Sequence, residues 1–327
     1  MGSILEVRDL RVAYRSRSGD TFRALDGISF HLGPGEILGV LGESGSGKST
    51  LAASLLRLFR RDAVVASGAV LFEGMDLLQA KPNELQRIRG KRISLIFQEP
   101  SVALHPTMRV GSQVRQVLRA HGVNGRALNQ RTREVFETLF REETDRIARS
   151  YPHELSGGQR QRILIAQAIA CGPSVLVADE PTASLDPTTQ MEILGVFRSL
   201  REKLGLALVF ITHNPALLAP FADRILVLYA GRVVEWGPAA TVLASPKHPY
   251  TRALRESMPS RLEETSDFHK KKLNAIPGDS LPSSLPQQGC PFEPRCPERM
   301  DVCKSREPML VTLSAGHTVY CFRYESE

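Results

Sequence analysis

Three groups of residues have types and spacings that could do chemistry. The run Gly42, Glu43, Ser44, Gly45, Ser46, Gly47, Lys48, Ser49, Thr50 satisfies the pattern G-x-x-x-x-G-K-[ST]. Glycines let such a loop curl until successive N–H groups point at phosphate oxygens. A lysine placed as Lys48 is meets the β- and γ-phosphates, and the Ser49 hydroxyl can ligate Mg²⁺. A chain of this length matches the pattern by accident roughly once in a hundred at ordinary residue frequencies. The second group is Asp179 and Glu180 in SVLVADEPT, two carboxylates at the end of an apolar run. There, Asp179 would hold the Mg²⁺ shell and Glu180 would polarise a water attacking the γ-phosphate. An isolated Asp-Glu is usually a solvated turn; the four apolar residues before this pair and the phosphate loop elsewhere in the chain give it a chemical reading. The third group is Cys290, Cys296, Cys303 and Cys321, crowded into the last 40 residues, while Cys171 stands alone in the first 260.

Each group needs elements that position it. ILGVLG (Ile37 to Gly42) reads as a short apolar strand running into the glycine loop, and KSTLAASLLRLF has helical spacing. The positive end of that helix would face the same anion. LEVRDLRVAY and GISFHL read as short strands, and ISLIF (Ile93 to Phe97), SVLVAD (Ser174 to Asp179) and LALVFIT (Leu206 to Thr212) as buried ones. A helix lies between the last two, with Asp186 as its N-cap and Pro187 at its first position. Residues 110 to 150 are rich in Arg and Glu and helical in pattern. Strands alternating with helices predict an α/β domain on a largely parallel sheet. Ligands bind at the carboxyl ends of such strands, so Asp179 and Glu180 should face the phosphate loop. After residue 259 the texture changes: seven of the 21 prolines fall in 261–327. The expected division is 1–259 for the nucleotide domain, 260–285 for a linker, and 286–327 for a small cysteine-rich appendix.

At 327 residues the chain has room for about two domains. A hydrophobic fraction of 42% with 24% charged residues excludes a wholly disordered chain, a collagen and a coiled coil. No apolar run approaches the ~18 residues of a membrane helix. The opening MGSILEVRDLRV lacks a basic leader and apolar core, so a cytosolic chain that can dock on a membrane complex is expected. The formal charge of +7 lies in the first 260 residues, with 33 basic against 25 acidic side chains. The excess is spread out rather than blocked, apart from Lys270, Lys271 and Lys272. It suits nucleotide handling, and no nucleic-acid partner is expected.

LSGGQ (Leu155, Ser156, Gly157, Gly158, Gln159), taken with the phosphate loop and VLVADE, resembles the ATP-binding subunit of an ATP-binding cassette (ABC) transporter. The resemblance runs in motif order from residue 5 to about 240. It implies a P-loop ATPase domain with a mostly parallel sheet core, an antiparallel β subdomain and a helical subdomain at about 99–155. Residue by residue, it implies that Tyr14 stacks on adenine and that Gln98 senses Mg²⁺ and water and links to the membrane partner. Residues 155–159 would cradle the γ-phosphate of ATP on an opposing subunit, Asp186 would sit on a loop crossing the dimer interface, and His213 would contact the γ-phosphate. Outside that context Tyr14 reads as strand packing, Gln98 as a polar strand end and His213 as a structural histidine. Ala183 and Ser184 are a mild variation on the family's loop. One phosphate loop and one signature per chain make this half of a pair, with ATP as the glue.

FQEPSVALHPTMRVG, YPHELSGGQRQR, HPYTRALRESMP and GCPFEPRCPERMDVC together resemble the oligopeptide/dipeptide/nickel importer branch, with His105 where Asn is usual. That branch implies an ATPase energising peptide uptake through two separate transmembrane permeases. Its other partners would be a second, related ATPase chain and, indirectly, an extracytoplasmic solute-binding protein. The chain would lie peripherally on the cytoplasmic face of the inner membrane. A nickel or other solute importer, and a soluble cassette ATPase acting on nucleic acid or ribosomes, are the alternatives. The four late cysteines have intervals of five, six and seventeen residues, none of them the C-x-x-C of structural zinc. Thiolates in proline-rich loops suit an iron–sulfur cluster, and the branch implies a 4Fe–4S cluster on Cys290, Cys296, Cys303 and Cys321. Zinc and free thiols stay open, and Cys171 is expected to be a small buried helix residue.

Overall fold

The computed structural model describes residues 2–15, 21–98, 103–140, 143–257, 276, 278, 288–314 and 316–325. The expected linker, with Lys270 to Lys272, lies almost wholly outside the described residues.

Among them, strands form two sheets. The first is antiparallel in the order β2-β1-β4-β5, from β1 (Leu5–Arg15), β2 (Thr21–Leu32), β4 (Ala63–Phe72) and β5 (Met75–Asp76). The second has the order β11-β12-β10-β9-β3-β8-β7-β6. Its parallel centre comprises β9 (Arg224–Tyr229), β3 (Ile37–Leu41), β8 (Ala207–Thr212), β7 (Val175–Asp179) and β6 (Ile93–Ile96). Every residue of β3, β7 and β8 is buried, as a parallel sheet covered on both faces requires.

Alternation along these strands feeds two cores. Leu38, Val40, Val175, Val177, Val209 and Ile211 face the antiparallel sheet and α1 (Lys48–Leu55), with α2 (Pro82–Ile88) at the rim. Ile37, Leu41, Leu176, Ala178, Leu208 and Phe210 face the other way, onto helices. These include α3 (Val110–Ala120), α4 (Gly125–Phe140), α5 (Thr144–Arg149), α6 (Gly157–Ile169) and α7 (Pro187–Leu204). Val114, Leu118, Leu128, Phe136, Leu139 and Ile147 close the helical part of this core. The helix expected after residue 186 begins as read: the Asp186 carboxylate accepts from Thr189 N at 3.0 Å, Pro187 opens α7, and Gly205 ends it at φ 64°.

Past α8 (Pro215–Leu218), the chain turns antiparallel at β9 and β10 (Arg232–Pro238), then forms α9 (Ala239–Ala244) and α10 (Pro249–Glu256). The cysteine-bearing segment, expected as a small stapled appendix, adds strands to the main sheet. After α11 (Val302–Ser305), its β11 (Leu310–Ser314) and β12 (His317–Tyr320) extend the main sheet, with Glu235 opposite Val319 and Trp236 opposite Thr318. The fully buried Glu235 ties the segment down, accepting from Lys247 N, His248 N and His317 Nε2 at 2.7, 2.9 and 2.7 Å. A pattern reading misses β11 and β12 because they are only five and four residues long, with β11 at the sheet's outer edge.

Candidate nucleotide site

The phosphate loop spans the gap between β3 and α1, and its glycines are dictated by close approach. Gly47, just before α1, has φ 105°, and a Cβ there would lie 2.6 Å from the Ala24 carbonyl. A Cβ on Gly42 would lie 2.3 Å from the Leu228 carbonyl. Neither space admits a side chain. Lys48 is buried, and its Nζ donates to the Gly42 and Glu43 carbonyls at 2.8 Å each. It also stands 3.6 Å from Glu180 Oε1. Burial pushes the Lys48 ammonium below its ordinary range, against the pull of Glu180 and Asp179.

Parallel register delivers the carboxylates to this loop: Leu41 pairs with Thr212, and Asp179 with Ile211. Asp179 is buried, and burial raises its carboxyl above the usual range although a Ser49 hydrogen bond opposes this. One of its oxygens, Oδ1, has no hydrogen-bond partner. A buried carboxylate oxygen left unpaired beside a serine hydroxyl is a donor set that suits a small hard cation such as Mg²⁺. Glu180 follows at φ 45°, a left-handed conformation uncommon for a residue with a side chain, while its N–H donates to the Ile211 carbonyl at 3.0 Å. Its Oε2 lies 2.9 Å from His213 Nδ1, one residue past β8. That hydrogen bond outweighs burial, holding the Glu180 carboxyl below its ordinary range and lifting the His213 imidazole above its own. Lys48, Asp179, Glu180 and His213 thus share one site, with the carboxylate of Glu180 held between the Lys48 ammonium and the His213 imidazole.

The remaining candidates are carried by other elements. Tyr14 is buried, its hydroxyl 3.4 Å from Thr50 Oγ1, its ring 5.4 Å from Phe22 and overlain by the Arg60 guanidinium. Gln98 is exposed two residues beyond β6, the strand beside the one that ends in Asp179. Leu155 to Gln159 lie at the start of α6. Ser156 caps that helix through a reciprocal box, accepting from Gln159 N at 3.2 Å while its own N–H donates to Gln159 Oε1 at 3.1 Å. The signature packs on the turn of Asp186, since a Cβ at Gly158 would lie 2.6 Å from Thr189 Cγ2.

Two contacts on the loop went unread in the sequence. Glu43 N–H donates to the Tyr250 hydroxyl at 2.8 Å, and the Glu43 carboxylate accepts from both terminal nitrogens of Arg295 at 2.8 and 3.2 Å. Tyr250 belongs to HPYTRAL and Arg295 to PFEPRC, so the strings were visible, but a partner about 250 residues away is not.

Cys290, Cys296, Cys303 and Cys321 line one small cavity with His248 and Phe292. All four are free thiols. Burial and the neighbouring cysteines push Cys290 up to about 12 and Cys296 to about 11. Among the described residues no three His, Cys, Asp or Glu are grouped to hold a metal ion. Cys171 differs from expectation: it is half-buried and lies two residues past the end of α6, where Gly172 at φ 70° turns the chain.

Residues 25–183 match the ABC transporter family model, and 234–303 match the oligopeptide/dipeptide transporter C-terminal region. A probable peptide ABC transporter ATP-binding protein of Sinorhizobium fredii, y4tR, is 40% identical over 98% of this chain and 95% of its own length. The chain belongs to the ABC transporter ATP-binding family. The oligopeptide transport ATP-binding protein AppD of Bacillus subtilis is 39% identical, over 100% of this chain and 98% of its own. The dimeric structure of the ABC transporter cassette MJ0796 superposes with a TM-score of 0.63 at 28% identity, covering 72% of this chain and 98% of that one. The family and branch expected from LSGGQ and HPYTRAL are therefore those found, and this ABC subunit is an ATPase. None of its helices among the described residues is long and apolar enough to cross a membrane.

Proposed function

We propose that this chain is the ATP-hydrolysing subunit that energises import of oligopeptides or dipeptides through separate membrane permeases. The observation that carries the reading is likeness to oligopeptide transport ATP-binding proteins along the whole chain, C-terminal region included. The site supports the chemistry. Lys48 would bind the β- and γ-phosphates, and the ionised Glu180, held by His213, would accept a proton from the attacking water. Tyr14 would stack on adenine. Ser49, Asp179 and Gln98 would hold Mg²⁺, which when bound supplies charge neutralisation at the phosphates. Residues 155–159 and Asp186 would complete the site of a second ATPase subunit, a related but different chain. Two permeases and, through them, an extracytoplasmic binding protein complete the assembly, which places this subunit on the cytoplasmic face of the inner membrane.

For the C-terminal segment we propose a 4Fe–4S cluster on Cys290, Cys296, Cys303 and Cys321. Supporting it are the convergence of four free thiols on one cavity and the prolines that follow Cys290 and Cys296. Thiols raised by burial and by one another would gain from a positive centre.

The test is a tagged Glu180→Gln chain captured from gently solubilised native membranes with Mg-ATP. Two multi-span permeases, a second cassette subunit and a peptide-binding protein are the expected companions. A nickel-binding protein would change the solute, and ribosomal or DNA-repair partners without permeases would overturn the transporter reading.

A further inference from the structure

Glu43 puts a negative charge inside the loop that must receive a polyphosphate. Such a carboxylate repels the ligand unless a cation answers it. The cation comes from the far end of the chain. Arg295 grips Glu43 through two parallel N–H···O bonds and is itself buried. A bidentate fork of this kind fixes direction as well as charge. Its base is rigid. Arg295 closes a one-turn helix (Glu293–Arg295) between Cys290 and Cys296, its N–H donating to the Phe292 carbonyl at 3.0 Å. Phe292 is fully buried against Tyr229 and Tyr250, at ring separations of 5.2 and 5.4 Å. Tyr250 accepts from the Glu43 N–H, and the Arg295 guanidinium lies over the Tyr229 ring at 5.8 Å. The loop's second residue is therefore held at both its backbone and its side chain by the C-terminal part of the molecule.

We propose that Arg295 is a positioning residue for nucleotide binding. It neutralises and orients Glu43, and so ties the phosphate loop's fitness for a triphosphate to the folded state of the cysteine-bearing segment. The inference rests on the phosphate loop being the nucleotide site, and it is independent of what the transporter carries.

The test uses the full chain and calorimetric binding of the non-hydrolysable analogue AMPPNP with Mg²⁺, alongside denaturant unfolding. Arg295→Gln should weaken binding about tenfold, the order expected for one uncompensated charge several ångströms from the ligand at intermediate dielectric. Arg295→Lys, which keeps the charge and loses the fork, should fall between. Adding Glu43→Gln to Arg295→Gln should restore most of the affinity, and in steady-state hydrolysis the Arg295→Gln defect should appear in KM rather than kcat. A merely structural role would track the unfolding midpoint and would not divide KM from kcat. Equal affinity of Arg295→Gln, Arg295→Lys and the unaltered chain would overturn the proposal, as would a double variant no tighter than Arg295→Gln alone. An unaltered chain that binds no AMPPNP would overturn the nucleotide site itself, a separable failure.

Discussion

At the residue scale the site turns on Glu180, whose carboxylate is shared between His213 and Lys48. Glu180→Gln keeps the shape and removes the proton acceptor, so ATP should still bind while hydrolysis slows by about 10²- to 10⁴-fold. Single-turnover hydrolysis at saturating ATP checks this, and an undiminished rate would move the catalytic role elsewhere. The pair also titrates as a unit. His213 is raised from 6.5 and Glu180 lowered from 4.5, so their mutual stabilisation is whole between these two values. It is lost as pH rises through the raised midpoint of His213, and again as pH falls through the lowered midpoint of Glu180. In Glu180→Gln the His213 midpoint, followed by NMR of its ring protons, should fall. A midpoint that stays put would dissolve the pair.

Elements carry the next constraint. The phosphate loop is shaped by neighbours that belong to other strands: Ala24 in β2 crowds Gly47, and the Leu228 carbonyl in β9 crowds Gly42. Gly47→Ala meets both a left-handed φ of 105° and a backbone oxygen at 2.6 Å. A cost of about 1–3 kcal/mol is expected from strain of this kind, together with weakened ATP binding. Denaturant titration and nucleotide binding measured on the same variant would show both, and a stable, tight-binding variant would contradict the loop geometry. α6 shows the same economy in reverse. Its capping box on Ser156 and Gln159 satisfies the first turn locally, without help from another element.

For the whole molecule, the C-terminal segment is joined to the ATPase core by sheet pairing, by the Arg295–Glu43 fork and by one buried acid. Glu235→Ala would leave Lys247 N–H, His248 N–H and His317 without their acceptor in a site closed to water. Removing one partner of a buried charged network typically costs about 3–5 kcal/mol. Equilibrium unfolding should show that loss, and limited proteolysis should cut first within 288–325. Because Arg295 belongs to the same segment, the variant should also bind nucleotide more weakly. A Glu235→Ala chain with unchanged stability and protection would mean the segment is held by other contacts.

Much of this protein was legible in its sequence wherever function or folding demands a local pattern. The runs ILGVL, VLVAD and ALVFIT read as buried strands, and the parallel sheet contains them. The glycine loop announced phosphate chemistry, and Asp186 with Pro187 announced the start of α7. Motif order then assigned the family. Tertiary structure alone decided what depends on residues far apart. The left-handed Glu180 that reaches His213, the Arg295 fork on Glu43 across about 250 residues, and the merging of β11 and β12 into the main sheet leave no periodic trace. Sequence patterns record which face of an element is buried, because apolar transfer acts on each residue singly. Ion pairs and strand addition depend on which surfaces meet, and that is settled only when the whole chain has packed.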